Sequence, residues 1–572
     1  MPEKPKKIPY GISNYRMIAL DGYVYVDKTG YIERLEQYGA PYLFFLRPRR
    51  FGKSLFTSVL NCYYDAKEKD CFDAYFSGTY IGEHPTELRN RYLMLNFDFS
   101  GVDTDTPEGM VKSFGSITRR FIDLFTKKYG IDYVCREDDM PGDTLDGLLS
   151  AVEMETRTPV YVVIDEYDHF ANELLSFRID LFKESVSKTG FVRRWFEILK
   201  KYTKTSVARI FATGVSPITL DSLTSGFNIA ADITMDARFN GMMGFTEDEV
   251  RGIIRSAAEF PGGEGETDAL MKILAGHYNG YLFSKDGDTR MFNSNMILYY
   301  LNSYLMTGKA PGTLIDKNLA SDYAKLGNMF DLADDTGGRQ VLEAILSGET
   351  VSAVITEQFS MEWDFTEEDL ASLLFYMGLL TIDTADADGS VNLKVPNTVM
   401  KELYFTYFIK KLEDEAKFRI QSGALRTAME DIASAGSNGK FVSLMEELLR
   451  ALSNRDYRHF NETHIRLIMY AYLSMSRLFT VKSEYEVPGG YIDIALLPNN
   501  RYSVDYYAII ELKYVKKGEY QESGGKAAEA KLAEAAAQLN RYAPAPELTA
   551  LPKLKKWALV FAGDQCVVNE EI

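Results

Sequence analysis

The segment from Tyr42 to Ser54 holds residue types whose spacing could bind phosphate. The apolar run from Tyr42 to Leu46 breaks into a short basic loop that ends in Gly52-Lys53-Ser54, and apolar residues then recur at helical spacing. This pattern predicts a strand, a loop and a helix N-terminus, where backbone N–H groups point at an anion. In such a loop the lysine reaches the β- and γ-phosphates and the serine hydroxyl holds Mg²⁺. We therefore predict that Lys53 and Ser54 bind a nucleotide.

Two acids follow a second apolar run. Residues 159–164 are continuously apolar, which is typical of a central strand in a parallel sheet, and Asp165-Glu166 come directly after them. Asp165 could orient the Mg²⁺ shell, and Glu166 could polarise the attacking water. The alternative is an exposed acidic turn after a buried strand.

Four other polar residues are weaker candidates. A third apolar run ends at Thr213, and we expect Thr213 and Ser216 to sense a γ-phosphate or water, because ligands bind at the carboxyl ends of parallel strands. Arg238 is a candidate phosphate-sensing arginine or an ordinary surface arginine. For His277, which lies beside aromatic residues, we expect a packing role.

A second chemical cluster is predicted near the C-terminus. The strand that contains Asp493 turns near residue 502 and returns as the strand that contains Glu511 and Lys513. This register places Asp493 opposite Glu511, and strand alternation puts Lys513 on the same face as Glu511. Two facing carboxylates are costly unless they bind a divalent cation or pair with the lysine. We predict that Asp493 and Glu511 are metal ligands.

The elements that must position these residues suggest four regions. Residues 1–245 alternate strand and helix patterns, as expected for an α/β fold with a P-loop NTPase sheet of the ASCE type. Residues 246–345 read as a helical lid, which begins with a capping box at Thr246. Residues 346–415 follow, and residues 416–572 form an α/β domain.

The region 346–415 has the outline of a winged helix, because a helix, a hairpin and a second helix follow one another. It could bind DNA or act as an interdomain spacer. The turn Asp386-Ala387-Asp388-Gly389-Ser390 is acidic and would repel phosphate, which favours the spacer.

Composition limits the function classes. The 572 residues carry a net charge of -18, so any DNA contact must use local basic patches. The four cysteines are far apart, which indicates neither a disulfide framework nor a zinc site. No apolar run reaches the roughly 18 residues that a membrane span needs, and we expect a cytoplasmic protein.

Several motifs resemble the bacterial AAA-ATPase-like family. They are Ile8-Pro9-Tyr10-Gly11-Ile12, Tyr25-Val26-Asp27-Lys28-Thr29, Arg47-Pro48-Arg49-Arg50-Phe51-Gly52-Lys53-Ser54, Asp165-Glu166-Tyr167-Asp168, Thr213-Gly214-Val215-Ser216-Pro217-Ile218, Gly244-Phe245-Thr246-Glu247-Asp248-Glu249-Val250 and Tyr278-Asn279-Gly280-Tyr281. A general P-loop carries glycine where this chain has Arg47, and the arginine looks like the family's own version. The resemblance implies that residues 47–54 contact ATP. It also implies a C-terminal PD-(D/E)xK nuclease-like domain.

The C-terminal residues resemble that nuclease fold. There a metal held by two carboxylates activates water while the lysine offsets transition-state charge. Gln538 and Tyr542, four residues apart on one helical face, resemble a feature of RecB-like nucleases and are assigned as catalytic by that likeness. The family's Gly-Arg-x-Asp turn has Tyr491 in place of arginine, which affects the expected substrate contact. Glu484 and Glu486 are additional candidate acids.

The sequence thus indicates an ATPase, with ATP and Mg²⁺ as cofactors, that controls a metal-dependent nuclease domain acting on DNA. A homo-oligomer is compatible with this interpretation. The alternative is a nucleotide-switched interaction protein in which the nuclease fold only docks a partner. The intact set Asp493, Glu511 and Lys513 favours the enzyme.

Overall fold

The computed structural model describes residues 6–171, 190–217, 229–256, 264–316, 330, 337–359, 365–453, 461–476, 478–499 and 502–572. The chain divides into two compact units, Met1–Met400 and Lys401–Ile572. The finer division predicted from the sequence stays a prediction. Among the helices of the described ranges, none is long and apolar enough to cross a membrane.

The described part of the first unit contains a five-stranded parallel sheet. Its strands are β1 (Tyr42–Leu46), β2 (Leu93–Asp98), β3 (Val160–Asp165), β4 (Val207–Gly214) and β5 (Ala231–Asp232). They lie in the order β2-β3-β4-β1-β5, and each neighbouring pair is parallel. The predicted α/β fold with a P-loop NTPase sheet is confirmed. The carboxyl ends of β1, β2 and β3 consequently meet at one edge.

Helices alternate with these strands. They are α1 (Tyr15–Leu20), α2 (Gly30–Gln37), α3 (Lys53–Tyr64), α4 (Phe72–Phe76), α5 (Tyr80–Glu83), α6 (Pro107–Tyr129), α7 (Pro141–Glu155) and α8 (Gly190–Tyr202). The helix that matters most for the site is α3, which starts directly after the basic loop. Its apolar face, with Phe56, Val59 and Leu60, is buried. Burial of this face fixes the N-terminus of α3 against the sheet edge.

In the described residues from 247 to 307, three helices follow the sheet: α9 (Glu247–Ser256), α10 (Glu264–Tyr278) and α11 (Ser294–Thr307). The predicted capping box at the start of α9 is present. Thr246 N–H donates to Glu249 Oε2 over 2.8 Å, and Glu249 N–H donates to Thr246 Oγ1 over 3.2 Å. These two bonds satisfy backbone donors that a helix start leaves without partners.

A small antiparallel sheet closes the first unit. Its elements are α12 (Gly338–Ser347), β6 (Val351–Ala353), α13 (Glu367–Tyr376), β7 (Thr381–Ala385) and β8 (Val391–Lys394), in the sheet order β6-β8-β7. The β7–β8 turn closes through a hydrogen bond from Asp386 N–H to Ser390 O, and Gly389 takes the left-handed conformation that this turn requires. The predicted order of helix and hairpin is present, whereas the winged-helix interpretation stays a prediction.

The second unit contains a mixed sheet. Its described strands are β9 (Thr480–Val487), β10 (Gly490–Leu497), β11 (Tyr507–Val515), β12 (Leu554–Ala562) and β13 (Gln565–Glu571), in the order β13-β12-β11-β10-β9. The β11–β12 pair is parallel, and the other pairs are antiparallel. This mixed sheet agrees with the nuclease-like α/β domain that the sequence predicted.

The remaining helices are α14 (Thr398–Ala416), α15 (Ser422–Ala435), α16 (Gly439–Ser453), α17 (Glu462–Ser474), α18 (Lys517–Glu522), α19 (Lys526–Tyr542) and α20 (Pro546–Thr549). One apolar cluster joins α19 to the sheet. Ala535 and Leu539 of the helix pack with Ile492, Ile509 and Ala558 of three strands. The Ala-rich composition of α19 permits this close approach to the sheet.

Candidate functional site

The basic loop after β1 has the backbone of an anion-binding turn. Arg50 and Gly52 both take left-handed conformations, with φ of 66° and 103°. Gly52 caps α3, so the first N–H groups of the helix are open towards the loop. Neighbouring segments brace the loop, because Asn295 N–H donates to Arg50 O and Gly244 N–H donates to Phe51 O.

Lys53 lies under this loop. Its side chain is buried, and its Nζ donates to the carbonyl oxygens of Arg47 and Pro48 over 2.9 and 3.1 Å. The same Nζ lies 4.0 Å from Glu166 Oε1. The loop lysine and the acid at the tip of β3 are thus neighbours, as their positions in the sequence suggested.

Asp165 and Glu166 have opposite electrostatic environments. Burial, and then the charge of Glu166, raise the pKa of Asp165 to about 6, although the Ser54 hydroxyl hydrogen-bonds to its carboxylate. Burial alone would also raise the pKa of Glu166. The hydrogen bond from His169 and the charges of Lys53 and Arg49 outweigh burial and lower the pKa of Glu166 to about 2. Glu166 is therefore ionised at neutral pH.

These residues line a cavity of about 460 Å³. The loop residues that reach it are Arg49, Arg50, Phe51, Gly52, Lys53 and Ser54. The cavity also has an apolar part formed by Ile12, Val24, Tyr25, Val59, Met243 and Phe245. A cavity with one polar and one apolar part suits a ligand that carries phosphates on one end and a planar ring on the other.

Sequence reasoning missed several polar residues of this cavity, three of which lie at or beyond the strand ends. Asp98, Ser100 and His169 all line it. Asp98 was detectable in principle, because it ends β2 in the way that Asp165 ends β3. His169 was harder to find, since it lies beyond the strand and after a turn whose course the residue pattern does not define.

The structure places Thr213 and Ser216 elsewhere, and the prediction that they face a phosphate is wrong. Thr213 is fully buried, and its hydroxyl donates to Phe45 O over 2.7 Å, inside the sheet. Ser216 is also buried, and its N–H donates to Asp168 Oδ2 over 2.6 Å. Neither residue is among those that line the cavity. Asp168 instead uses both residues of the β4 tip, Val215 and Ser216, as backbone donors.

Arg47 and Pro48 also require correction as nucleotide contacts. The Arg47 side chain is 1% exposed, and its guanidinium donates to the carbonyl oxygens of Leu46, Thr234 and Phe239. Burial lowers the pKa of Arg47 to about 9. Arg47 and Pro48 face away from the cavity, and what they contribute is carbonyl oxygens for Lys53.

Arg238 is the third correction. Its side chain is exposed and forms an ion pair with Asp236, while its guanidinium lies 4.8 Å from the centroid of the Tyr38 ring. It does not line the cavity. Arg238 is thus the ordinary surface arginine that the sequence left as its alternative.

The second unit brings the predicted carboxylates together. Ile494 pairs with Ile510, so the same register places Asp493 opposite Glu511. Asp493 N–H lies 3.4 Å from Glu511 Oε1, and Leu512 N–H donates to Asp493 Oδ2 over 2.8 Å. Burial, and then the charge of Asp493, raise the pKa of Glu511 to about 8. A pair that resists double ionisation in this way fits a divalent cation, because the cation stabilises both charges.

Lys513 lies next to the pair. Its Nζ is 3.6 Å from Glu511 Oε2, 3.6 Å from Glu462 Oε1 and 4.0 Å from Glu534 Oε1. Burial alone would lower the pKa of Lys513, but four acids led by Asp493 raise it. Glu462 on α17 and Glu534 on α19 were missed from the sequence, because acids on an exposed helical turn carry no distinguishing pattern.

Arg466 on α17 was also missed. Its Nη1 donates to Asp493 Oδ1 over 3.1 Å, and its Nη2 lies 2.9 Å from Glu484 Oε1. Glu484, one of the additional candidate acids, therefore belongs to this cluster, whereas Glu486 is exposed on β9. Within the described ranges, no group of three or more His, Cys, Asp or Glu side chains is arranged to hold a metal ion.

Gln538 and Tyr542, the two helical residues assigned from the nuclease likeness, have different surroundings. Tyr542 is buried in the apolar cluster with Leu539 and Ile492. A Cβ on Gly490 would come within 2.9 Å of its hydroxyl, so Tyr542 packs closely against this glycine, and its catalytic role stays a prediction. Gln538 has a buried Oε1 without a hydrogen-bond partner among the described residues, and its role stays a prediction.

The fold and the two clusters define a class of protein: a P-loop NTPase region joined to a nuclease-like α/β domain. Comparison with protein families agrees. Residues 9–224 match the family described as predicted AAA-ATPase (AAA-ATPase-like), and residues 460–571 match the PD-(D/E)XK nuclease superfamily. The chain therefore contains regions that match these two family models, in the order that the sequence predicted.

Individual proteins that resemble this chain share only low sequence identity with it. The chain is 25% identical over 519 residues to the "Uncharacterized protein in vnfD 5'region" of Azotobacter chroococcum mcd 1, covering 89% of this chain and 90% of that protein. The Walker-type ATPase paby2304 of Pyrococcus abyssi matches with a TM-score of 0.35 and 15% identity, over 70% of this chain and 98% of its own. A Drosophila ORC structure bound to poly(dA/dT) DNA and Cdc6 matches with a TM-score of 0.27 and 10% identity, over 75% and 60% of the two chains.

Proposed function

We propose that the first unit binds ATP with Mg²⁺ and hydrolyses it. The observation that carries this proposal is the meeting of Lys53, Asp165 and Glu166 around one cavity with a polar and an apolar part. Loop N–H groups and Lys53 would hold the phosphates, and the apolar part would hold the base. This proposal uses six of the eight loop residues that the sequence suggested, from Arg49 to Ser54.

Asp165 and Glu166 would have separate roles, one at the metal ion and one at the attacking water. Ser54 and Asp165 present a hydroxyl and a carboxylate, which are oxygen donors of the kind that Mg²⁺ prefers. The ion, when bound, neutralises charge on the transferred phosphoryl group. Glu166 is ionised at neutral pH and can accept a hydrogen bond from the attacking water.

Two variants test these roles separately. Lys53→Ala should lose ATP binding, whereas Glu166→Gln should bind ATP with Mg²⁺ and hydrolyse it about 100-fold or more slowly, because only help to the transition state is removed. Arg238→Ala is the matched control, since it removes an arginine that lies outside the cavity. Equilibrium nucleotide binding and steady-state phosphate release are the measurements. Undiminished hydrolysis by Glu166→Gln would contradict the role of that residue.

We further propose that the second unit is a metal-dependent nuclease acting on DNA, and that the nucleotide state of the first unit controls it. The close approach of Asp493, Glu511 and Lys513 supports this. A divalent ion there would activate water and stabilise charge on the phosphate being cleaved. Lys513 would add positive charge in the transition state. The exposed acids Asp386 and Asp388 make the winged-helix-like region a better spacer than a DNA contact.

A cleavage assay tests the nuclease. Asp493→Asn and Glu511→Gln should lose divalent-ion binding and cleavage together, whereas Lys513→Ala should keep the ion and lose cleavage. Single- and double-stranded DNA should both be tried, with and without ATP. A wild-type protein that binds no divalent ion under any nucleotide condition would favour the alternative, in which the second unit docks a partner and has no chemistry of its own.

A further inference from the structure

Arg466 joins two acids that belong to different strands. Its Nη1 lies 3.1 Å from Asp493 Oδ1 on β10, and its Nη2 lies 2.9 Å from Glu484 Oε1 on β9. The arginine side chain is 16% exposed, and its Nε is buried without a hydrogen-bond partner among the described residues. The position of the guanidinium is therefore set mainly by these two carboxylates.

The sheet register explains why a cation is needed at this place. Ile492 pairs with Tyr485 and Ile494 pairs with Ser483, so Glu484 lies opposite Asp493 on one side. Glu511 lies opposite Asp493 on the other side, by the register of β10 with β11. The acids Glu484, Asp493 and Glu511 thus form a row across three strands, here called the carboxylate row. Like charges at adjacent cross-strand positions destabilise a sheet unless a cation lies between them.

Both oxygens of Asp493 already have partners. Leu512 N–H donates to Oδ2 over 2.8 Å, and Arg466 donates to Oδ1 over 3.1 Å. The backbone donor can remain when a metal binds, because it carries no net charge. The guanidinium would be repelled if it remained, because it would lie within a few ångströms of a divalent ion that is also positively charged.

We propose that Arg466 is the counter-ion of Glu484 and Asp493 in the metal-free protein, beside Lys513 at Glu511, and that a divalent cation binding to Asp493 and Glu511 displaces it. This inference rests on the proposed metal function of the second unit. It assigns a positioning role to a residue that holds Asp493 in place until the cation arrives. It also makes the two cations competitors for one carboxylate oxygen.

Competition between Arg466 and the metal ion predicts the direction in which metal affinity changes when the arginine charge is removed. Arg466→Gln keeps a polar side chain of similar reach but removes the charge, so Mn²⁺ should bind about tenfold more tightly than in the wild-type protein. Without metal, the carboxylate row would lack this counter-ion, and the melting temperature should fall by about 2–4 °C. Saturating Mn²⁺ should then raise the melting temperature of Arg466→Gln more than that of the wild type.

The experiment is a calorimetric titration of the full chain with Mn²⁺, beside thermal unfolding in EDTA and in Mn²⁺. Arg419→Gln is the matched control, because it removes the same charge from an exposed arginine of the second unit that pairs with Glu413. Asp493→Asn identifies the binding that belongs to this site. If Arg466→Gln folds poorly, Arg466→Lys serves instead, since a single ammonium bridges two acids less well and should give an intermediate gain in affinity.

The outcomes distinguish displacement of Arg466 from the metal function of the second unit. Tighter Mn²⁺ binding by Arg466→Gln, with Arg419→Gln unchanged, supports displacement. Wild-type binding that is lost in Asp493→Asn but unchanged or weakened in Arg466→Gln overturns displacement and leaves the metal function standing. Absence of Mn²⁺ binding in both the wild type and Arg466→Gln overturns the metal function, and displacement with it.

Discussion

Lys53 Nζ lies 4.0 Å from Glu166 Oε1, so the lysine expected to bind phosphate is next to the acid expected to polarise the attacking water. They come from different elements, the N-terminus of α3 and the tip of β3. The lysine charge is one of the causes that hold the pKa of Glu166 low. Bound phosphates would compete for this lysine, and the low pKa of Glu166 would then depend more on His169 and Arg49.

The first prediction concerns His169. Its Nδ1 lies 3.8 Å from Glu166 Oε2, and its interaction with this carboxylate opposes the effect of burial on the pKa of Glu166. His169→Ala should therefore raise that pKa. A raised pKa protonates Glu166 at higher pH, so the acid limb of the kcat profile for ATP hydrolysis should shift to higher pH. The measurement is phosphate release at saturating ATP from pH 8 down to the lowest pH at which the protein stays folded, because the acid limb set by a pKa of about 2 lies well below neutral pH.

A matched control for this prediction is His84→Ala, because His84 is exposed and stacks on Tyr80 away from the cavity. Its profile should equal that of the wild type. If His169→Ala lowers kcat by the same factor at every pH, the residue does not act through the ionisation of Glu166.

The second prediction concerns the stability of the first unit. Arg47→Met should destabilise the protein by about 2–4 kcal/mol, because the carbonyl oxygens of Leu46, Thr234 and Phe239 lose a charged donor in the core. The ring contacts of the guanidinium with Phe45 and Phe283, at 4.2 and 4.3 Å, are lost as well.

Chemical denaturation followed by intrinsic fluorescence measures this loss. Arg238→Ala is the comparison, since an exposed arginine should change the free energy of unfolding by less than about 0.5 kcal/mol. Equal stability of Arg47→Met and the wild type would mean that Arg47 is not a structural residue.

Some parts of the structure could be predicted because a simple periodicity fixes them. The Asp493–Glu511 register follows from the alternation of strand residues around a hairpin centre, and the observed Ile494–Ile510 pairing agrees with it. The parallel strands β1 and β3 were likewise predictable, because their residues are apolar on both faces and each run ends in chemically distinct side chains.

Other parts could not be predicted, because they depend on which way a side chain turns after its element ends. Arg47 follows a strand at a position that suggests phosphate contact, yet its guanidinium turns into the core towards the carbonyl of the preceding Leu46 and those of Thr234 and Phe239, far along the chain. Arg466 lies on an amphipathic helix and meets Asp493, 27 residues away, only through tertiary packing. No local pattern contains that information.

The third prediction links metal binding to protons. Because the pKa of Glu511 is raised to about 8, most molecules carry a proton there at pH 7. A divalent cation requires the ionised form, so binding should release about one proton and tighten about tenfold for each pH unit between pH 6 and pH 8. Calorimetric Mn²⁺ titrations in buffers of different ionisation enthalpy count the released protons. A pH-independent affinity would exclude Glu511 as a ligand.

The fourth prediction concerns the stability of the metal-free protein. A carboxyl whose pKa rises from 4.5 unfolded to about 8 folded stabilises the protein fully below about pH 4.5 and loses that contribution as the pH rises through 8. Glu511→Gln cannot ionise, so relative to the wild type it should gain about 2–3 kcal/mol between pH 6 and pH 9. Urea unfolding in EDTA at both pH values measures the difference.

Glu519→Gln is the control, because Glu519 is exposed on α18, and its effect should be the same at both values. A constant difference for Glu511→Gln would mean that burial and Asp493 do not hold the Glu511 proton in the folded state.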